Sequence, residues 1–365
     1  MSANTENDGL STLQSKRPPT LQDVADALKM HKSTVSVALS GKGTLSRETR
    51  HRIFHTAKQM GYVPNPIAQK LASGYRNPAV CVFGAGLDTG LGTEKLLLIQ
   101  RILSKDSIEV PIYICAEPDS DGNPSQSAQL RQVCRQRPRA IICAGNVLDE
   151  SVFVELEEYQ RSGGFVVSYD TELPIQCDQV IFDREHNAYT AARYLLEKGH
   201  RKIGLGLSSK IDWLPDSPHY FQTGRIRGFM KALDEFGAPI NENWVFQHAT
   251  YERGGEELAR MFIESEDRPT ALAIVNDYVA LTFMVTVMQH GVRIPHDLSI
   301  IGHDNQPISN YTPVPMTSAT QRTDEIATAV VNLLQARLNE DHFAPRKIYI
   351  KGTVVERDSV AQPSH

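Results

Sequence analysis

From Ala79 onward, short apolar runs alternate with longer amphipathic stretches, and this rhythm restricts the chain to a narrow set of folds. Ala79–Phe83, Pro111–Cys115, Ala140–Cys143, Phe165–Tyr169, Lys202–Leu207, Ala271–Val275 and Ser299–Gly302 read as strands. Between them, helical periodicity runs over Glu94–Leu103, Gln126–Arg135, Val152–Gln160, Ala188–Lys198, Gly224–Phe236, Gly254–Ile263 and Asp277–His290. Parallel strands need crossover connections, and helical crossovers cover both faces of the sheet they join. Residues 77–365 are too many for one such sheet domain, so two similar lobes are expected. Ligands of open α/β sheets bind beyond the carboxyl ends of the strands, which in a two-lobed body is the cleft.

Charge separates this body from what precedes it. The chain as a whole is at −5, but between Lys16 and Arg76 eleven Lys and Arg face three acids, Asp23, Asp26 and Glu48. A compact basic head therefore precedes an acidic body, a pattern that points to a polyanionic partner for the head. Residues 1–17 lack periodicity and read as a disordered tail.

Within the head, Thr20-Leu21-Gln22-Asp23 has the spacing of a capping box, followed by Val24, Ala25 and Leu28 on one helical face. A short break at Lys29-Met30-His31 precedes a second helix over Lys32–Leu39. It turns Val35, Ala38 and Leu39 inward and Lys32, Ser33, Ser36 and Val37 outward. Ser40-Gly41-Lys42-Gly43 stops it. Ser46 caps a third helix, with Ile53, Phe54, Ala57 and Met60 on one face and Arg47, Arg50, Arg52 and Lys58 elsewhere. Three short helices with a tight turn after the first describe a helix-turn-helix, whose second helix enters the major groove. A small helical bundle that binds protein fits the same pattern. The following segment, Gly61 to Gly74, contains a helix of about eight residues after Pro66, too short to be stable alone in water.

Asp23-Val24-Ala25, Thr34-Val35-Ser36, Leu39, Ser46-x-x-Thr49-Arg50 and Gly61-Tyr62-x-Pro64-Asn65-x-x-Ala68-x-x-Leu71 together resemble the signature of LacI/GalR transcriptional regulators. The resemblance implies a homodimer on a near-palindromic double-stranded DNA operator. Lys32, Ser33, Ser36 and Val37 would face the bases, and Thr20, Thr34, Ser46 and Thr49 would hold phosphates. Ala68 and Leu71 would lie on paired hinge helices in the minor groove, with Leu71 wedged between base pairs. Two positions depart from the family pattern. Val37 stands where an Arg is usual, which replaces a guanine contact by an apolar one suited to a thymine methyl. Leu28-Lys29-Met30-His31 replaces a turn that usually contains Gly.

The body continues the resemblance in Asp183, Leu195-x-x-x-Gly199-His200-Arg201, Arg225-x-x-Gly228-Phe229, Asn276-Asp277, and Pro295-x-Asp297-Leu298-Ser299-Ile300-Ile301-Gly302-x-Asp304. The implied fold class is α/β: an N-terminal all-α helix-turn-helix plus hinge helix, then doubly wound parallel sheets in two lobes, similar to type 1 periplasmic binding proteins. The implied division is a helix-turn-helix over 18–63, a hinge over 64–76 and an effector-binding core over 77–365. Lobe 1 would take 77–198 and 320–342, and lobe 2 would take 199–319 and 343–360. Arg225, Asn276 and Asp304 fall on effector-contact positions. A guanidinium fork, an amide and a carboxylate can bind vicinal hydroxyls or a carboxylate, so a small polar effector, a sugar or sugar derivative, is expected. Each also has a structural alternative: a surface ion pair for Arg225, an N-cap for Asn276-Asp277 with Asp277 as the main cap, and a turn cap for Asp304.

Other classes leave weaker traces. Gly84-Ala85-Gly86-Leu87-Asp88-Thr89-Gly90 follows a strand but reads GxGxxxG rather than the dinucleotide fingerprint, and no P-loop, HExxH or GxSxG occurs. The five cysteines and twelve histidines have no metal-ligand spacing, so no cofactor, metal or enzymatic role is expected. A transported-sugar binding protein would suit the body but not the basic head. The polar first twenty residues lack an export signal, no apolar run could span a membrane, and the unpaired cysteine count fits a reducing compartment, so a cytoplasmic location is expected.

Overall fold

The structure is a computed structural model that describes residues 19–39, 45–62, 80–84, 90–105, 108, 110–115, 125–144, 148–207, 220–247, 254–339 and 344–363. Trp213, the Ser40–Gly43 stop and the whole 64–76 hinge segment, Ala68 and Leu71 with it, lie outside these residues. The chain divides into two compact units, 1–77 and 78–365.

The first unit contains α1 (Leu21–Leu28), α2 (Lys32–Leu39) and α3 (Arg47–Gln59). Val24, Ala25, Val35, Ala38, Ile53 and Ala57 form its core, and Leu21, Leu28, Met30, Leu39, Leu45, Met60 and Tyr62 pack around them. The capping box forms as its spacing predicts. The Asp23 amide donates to Thr20 Oγ1 (3.3 Å), and the Thr20 amide donates to Asp23 Oδ2 (2.7 Å). The turn without glycine closes because Lys29 itself takes the left-handed conformation (φ 52°, ψ 41°). Phe54, grouped on one face with Ile53, Ala57 and Met60, is 49% exposed; the three-helix core is filled by the smaller Ile53 and Ala57.

The second unit holds two six-stranded sheets. The first has the order β11-β5-β4-β3-β1-β2, with β1 Val80–Gly84, β2 Ile112–Ile114, β3 Ala140–Ala144, β4 Phe165–Asp170, β5 Asp178–Phe182 and β11 Lys347–Ile350. Every pairing in it is parallel. Alternate residues of its strands serve opposite faces. Val80 and Val82 pack with Leu96, Ile99 and Leu103 of α4 (Gly90–Lys105) and Val330 and Leu334 of α11 (Thr323–Leu338). Cys81 and Phe83 pack with Leu130 of α5 (Gln126–Arg135) and Leu156 of α6 (Glu150–Arg161).

The second sheet has the order β12-β10-β9-β8-β6-β7, with β6 Ile203–Leu207, β7 Val245–Gln247, β8 Ala271–Ile274, β9 Ser299–Asp304, β10 Thr317–Thr320 and β12 Val354–Val355. Only β12, paired with β10, runs antiparallel. One face is covered by α7 (Arg184–Glu197) and α8 (Tyr220–Glu235), the other by α9 (Gly254–Glu264) and α10 (Asp277–Gln289).

The chain passes between the lobes after β5, after β10 and after β11. Two boundaries therefore differ from those expected. Residues 184–197 belong with lobe 2, because Ala191, Ala192, Leu195 and Leu196 bury against Ile203 and Leu205. Residues 347–350 belong with lobe 1, because β11 pairs with β5 at its edge.

Candidate effector cleft and DNA-reading helix

In the helical unit, α2 begins at the His31 carbonyl, which accepts from the Thr34 and Val35 amides (2.9 and 3.3 Å). Lys32 and Ser33 are exposed, Thr34 and Ser36 are half-buried, and Val37 is 37% exposed on the outward face. The hydroxyls of Thr20 and Ser46 serve their own helices: Ser46 Oγ accepts from the Thr49 amide (3.1 Å) and lies 2.8 Å from Thr49 Oγ1. These caps leave the remaining first-turn amides of α1 and α3 available to an anion.

In the two-lobed unit, the predicted residues gather at strand ends. Asn276 follows β8 and Asp304 ends β9, each three residues beyond the paired Ala273 and Ile301. Arg225 lies near the start of α8. Burial first, and the charge of Arg184 second, push its guanidinium down to about 10, while the charge of Asp304 pulls it up. Asn276 is the N-cap of α10, its Oδ1 accepting from the Tyr278 and Val279 amides (3.0 and 3.2 Å). That leaves its amide nitrogen as the group with which it could meet a ligand.

Asp277 does not act as the cap. It is fully buried, accepting from the Gln306 amide (2.7 Å), Ser309 Oγ (2.8 Å) and Ser318 Oγ (2.7 Å). Burial, with Asp304 nearby, pushes its carboxyl up to about 7 against the pull of those three donors. Asp304 serves no turn cap; its Oδ1 accepts from Gln321 Nε2 (2.6 Å).

Several site residues were not anticipated from the sequence. Lys95 on α4 is 2% exposed, with its ammonium ion-paired to the buried Asp170 at the end of β4. It also donates to Gln321 Oε1 (2.8 Å). Asp170, Lys95, Gln321 and Asp304 thus form one hydrogen-bonded chain from the first lobe to the second. Arg184, the first residue of α7, donates from Nη1 to the Asp170 carbonyl (2.8 Å). His303 on β9 lies 3.1 Å from the Ile274 carbonyl through Nδ1, which must carry the proton for that bond. Its buried Nε2 has no partner among the described residues, and burial with the field of Arg225 pushes the imidazole down to about 4. Arg184 could have been suspected had Asp178–Phe182 been recognised as a strand, since it would then stand at a strand's carboxyl end. Lys95 gives no local signal, because its partners lie far along the chain. Trp244 is buried packing, with Nε1 donating to Asp267 Oδ2 (3.1 Å).

Among the described residues, no group of His, Cys, Asp and Glu could hold a metal ion, and no helix is long and apolar enough to cross a membrane. The folds and these two sites define a class: a helix-turn-helix module carried by a body like a type 1 periplasmic binding protein. Residues 20–65 match the bacterial regulatory proteins of the lacI family, and residues 192–360 match the periplasmic binding protein-like domain. The two matches thus place a lacI-family helix-turn-helix at the start of the chain and a periplasmic-binding-protein-like region within its body.

The chain is 25% identical over 342 residues to the HTH-type transcriptional repressor PurR of Aliivibrio salmonicida, covering 93% of this chain and 98% of the relative. It is 26% identical over 343 residues to PurR of Klebsiella pneumoniae, covering 94% and 97%. Among solved structures, the lac repressor dimer bound to operator and the anti-inducer ONPF superposes with a TM-score of 0.78 at 19% identity, covering 94% of this chain and 100% of that one. The complex of the transcriptional regulator CelR with cellobiose superposes with a TM-score of 0.64 at 21% identity, covering 93% and 99%.

Proposed function

We propose that this protein is a cytoplasmic, homodimeric repressor whose hold on a near-palindromic operator is set by a small polar effector of carbohydrate type. The observation that carries the reading is the presence, in one chain, of a reading helix with Lys32, Ser33, Ser36 and Val37 outward and a two-lobed body with charged side chains at its strand ends. The PurR relatives are repressors by name, the lac repressor was solved on operator DNA, and CelR was solved with cellobiose.

In this reading Lys32, Ser33, Ser36 and Val37 meet base edges. Thr20, Thr34, Ser46 and Thr49, with the helix N-terminal amides beside them, meet phosphates and fix register. Ala68 and Leu71 belong to the hinge segment, where Leu71 offsets a few kcal/mol of unstacking by bending the duplex. Arg225, Asn276 and Asp304 hold the effector. The effector acts through its different affinities for two lobe arrangements, because a ligand equal in both shifts nothing. No catalytic step and no cofactor enters.

The test is selection of short genomic fragments by the purified full-length protein at low ionic strength, with and without a pool of sugars. One recurrent near-palindromic sequence is expected. Retention of fragments without sequence preference under every condition overturns the reading.

A further inference from the structure

The three crossings between the lobes are packed together. A Cβ on Gly352, between β11 and β12, would stand 2.3 Å from the Thr320 carbonyl oxygen at the end of β10 and 3.0 Å from Asn187 Oδ1 in the first turn of α7. Helix α7 is itself held tight in lobe 2, where a Cβ on Gly228 of α8 would stand 2.0 Å from the Glu185 carbonyl oxygen. Gln321 directly follows Thr320 and is 6% exposed, so it sits at this join with its side chain withdrawn from water.

The Gln321 amide joins one lobe to the other. Its Oε1 accepts from Lys95 Nζ (2.8 Å), and its Nε2 donates to Asp304 Oδ1 (2.6 Å). An ammonium only donates and a carboxylate only accepts, so the amide can stand in one orientation alone. The lobe 1 end is firm. Lys95 is buried and ion-paired with Asp170, and beside it Glu94 Oε1 accepts from Thr323 Oγ1 (2.9 Å) at the start of α11. The same end of α4 meets lobe 2 again, where a Cβ on Gly90 would lie 3.3 Å from Gln306 Nε2. At the lobe 2 end, Asp304 is half-buried and takes a φ of 104°, a conformation that residues with a side chain rarely adopt and that surrounding contacts must hold.

We infer that Gln321 is a positioning residue that latches the two lobes: it holds Asp304 to the buried Lys95–Asp170 pair, so the orientation of that carboxylate depends on the lobe arrangement. Its bearing on a ligand rests on the effector-cleft reading above and deepens it. With Oδ1 held by Gln321, Oδ2 is presented in one direction. An effector hydroxyl that donates to Oδ2 binds the latched arrangement better than the unlatched one, because the acceptor is already ordered. That difference is what an effector needs in order to shift the lobes.

The test is the distance between two spin labels in the full chain, without any sugar. The labels are carried by Glu157→Cys on α6 and Glu256→Cys on α9, exposed positions in lobe 1 and lobe 2. The background is Cys134→Ser, the other four cysteines being buried, and labelled chains are diluted with unlabelled ones so that pairs within one chain are read. The parent is expected to give one narrow distance. Gln321→Met, which keeps the bulk and loses both bonds, broadens it and adds a second population. Gln321→Glu, which sets two carboxylates against each other, moves most molecules into that population. Gln321→Glu with Asp304→Asn returns the parent distance, because the Asn amide then donates to the Glu carboxylate. Thr323→Val, which breaks a bond within lobe 1, leaves the distance unchanged. The Tm of each variant confirms that it folds. A distribution unmoved by Gln321→Met or Gln321→Glu, or one that the double variant fails to restore, overturns the latch. The distances need no ligand, so that failure leaves the effector reading standing; the effector reading falls by its own measure, operator binding that no sugar changes.

Discussion

Lys95 shows how much of this site rests on single buried groups. Its ammonium has given up water for Asp170 and Gln321, and Asp170 is 0% exposed. Removing one partner of a buried pair leaves the other charge uncompensated, which costs about 3–5 kcal/mol. Lys95→Met should therefore lower the urea midpoint by a corresponding amount. Lys95→Met with Asp170→Asn should recover much of the loss, and a Lys95→Met protein as stable as the parent would show that the pair is not buried as described. What could be read from the sequence at this scale is what neighbours along the chain decide. The Thr20–Asp23 capping box closes within four residues and forms as its spacing predicts. Asp277 was misread as a cap for the opposite reason: its three donors come from residues 306, 309 and 318.

The elements divide along similar lines. Seven strands with apolar runs were legible, whereas β5, β7, β10, β11 and β12 were not. Thr317–Thr320 is buried yet made of Thr, Ser and Ala, so no hydrophobic alternation marks it. Lys347–Ile350 lies at a sheet edge and alternates exposed with covered positions over only four residues. The helix Thr323–Leu338 was also not recognised, although its buried face of Ile326, Ala327, Val330 and Leu334 is essential to the first core. The crossing of α7 and α8 makes a prediction at this level. Gly228→Ala should destabilise by about 1–3 kcal/mol, because a methyl group would press into rigid backbone. Gly224→Ala has ordinary contact distances and should be neutral or stabilising by up to about 1 kcal/mol in a chemical melt. Equal effects at the two sites would mean that the helices do not approach as described.

For the molecule as a whole, the separation of charge bears on the proposed binding to DNA. The net −5 conceals a basic first unit, so DNA affinity should fall steeply with salt despite the acidic total. Lys32→Ala should relax base preference at one operator position, as its base-edge role requires. A slope of log K against log salt reduced by about 1 with base preference kept would instead move Lys32 to a phosphate. The two-lobed plan was readable from the strand rhythm. The threading was not, because a helix such as Arg184–Glu197 has the same amphipathic pattern whichever sheet it covers.

That threading bears on how the protein is made. The edge of the first sheet is completed by Lys347–Ile350, and the second sheet is closed by Val354–Val355 a few residues later. Neither lobe can be finished until Lys347–Ile350 and Val354–Val355 have left the ribosome, even though the first lobe's opening strand is made near residue 80. The helix-turn-helix, complete by about residue 62, is free to fold long before. A nascent chain therefore presents its three-helix unit ahead of either finished lobe, and the interval between the two is set by translation itself.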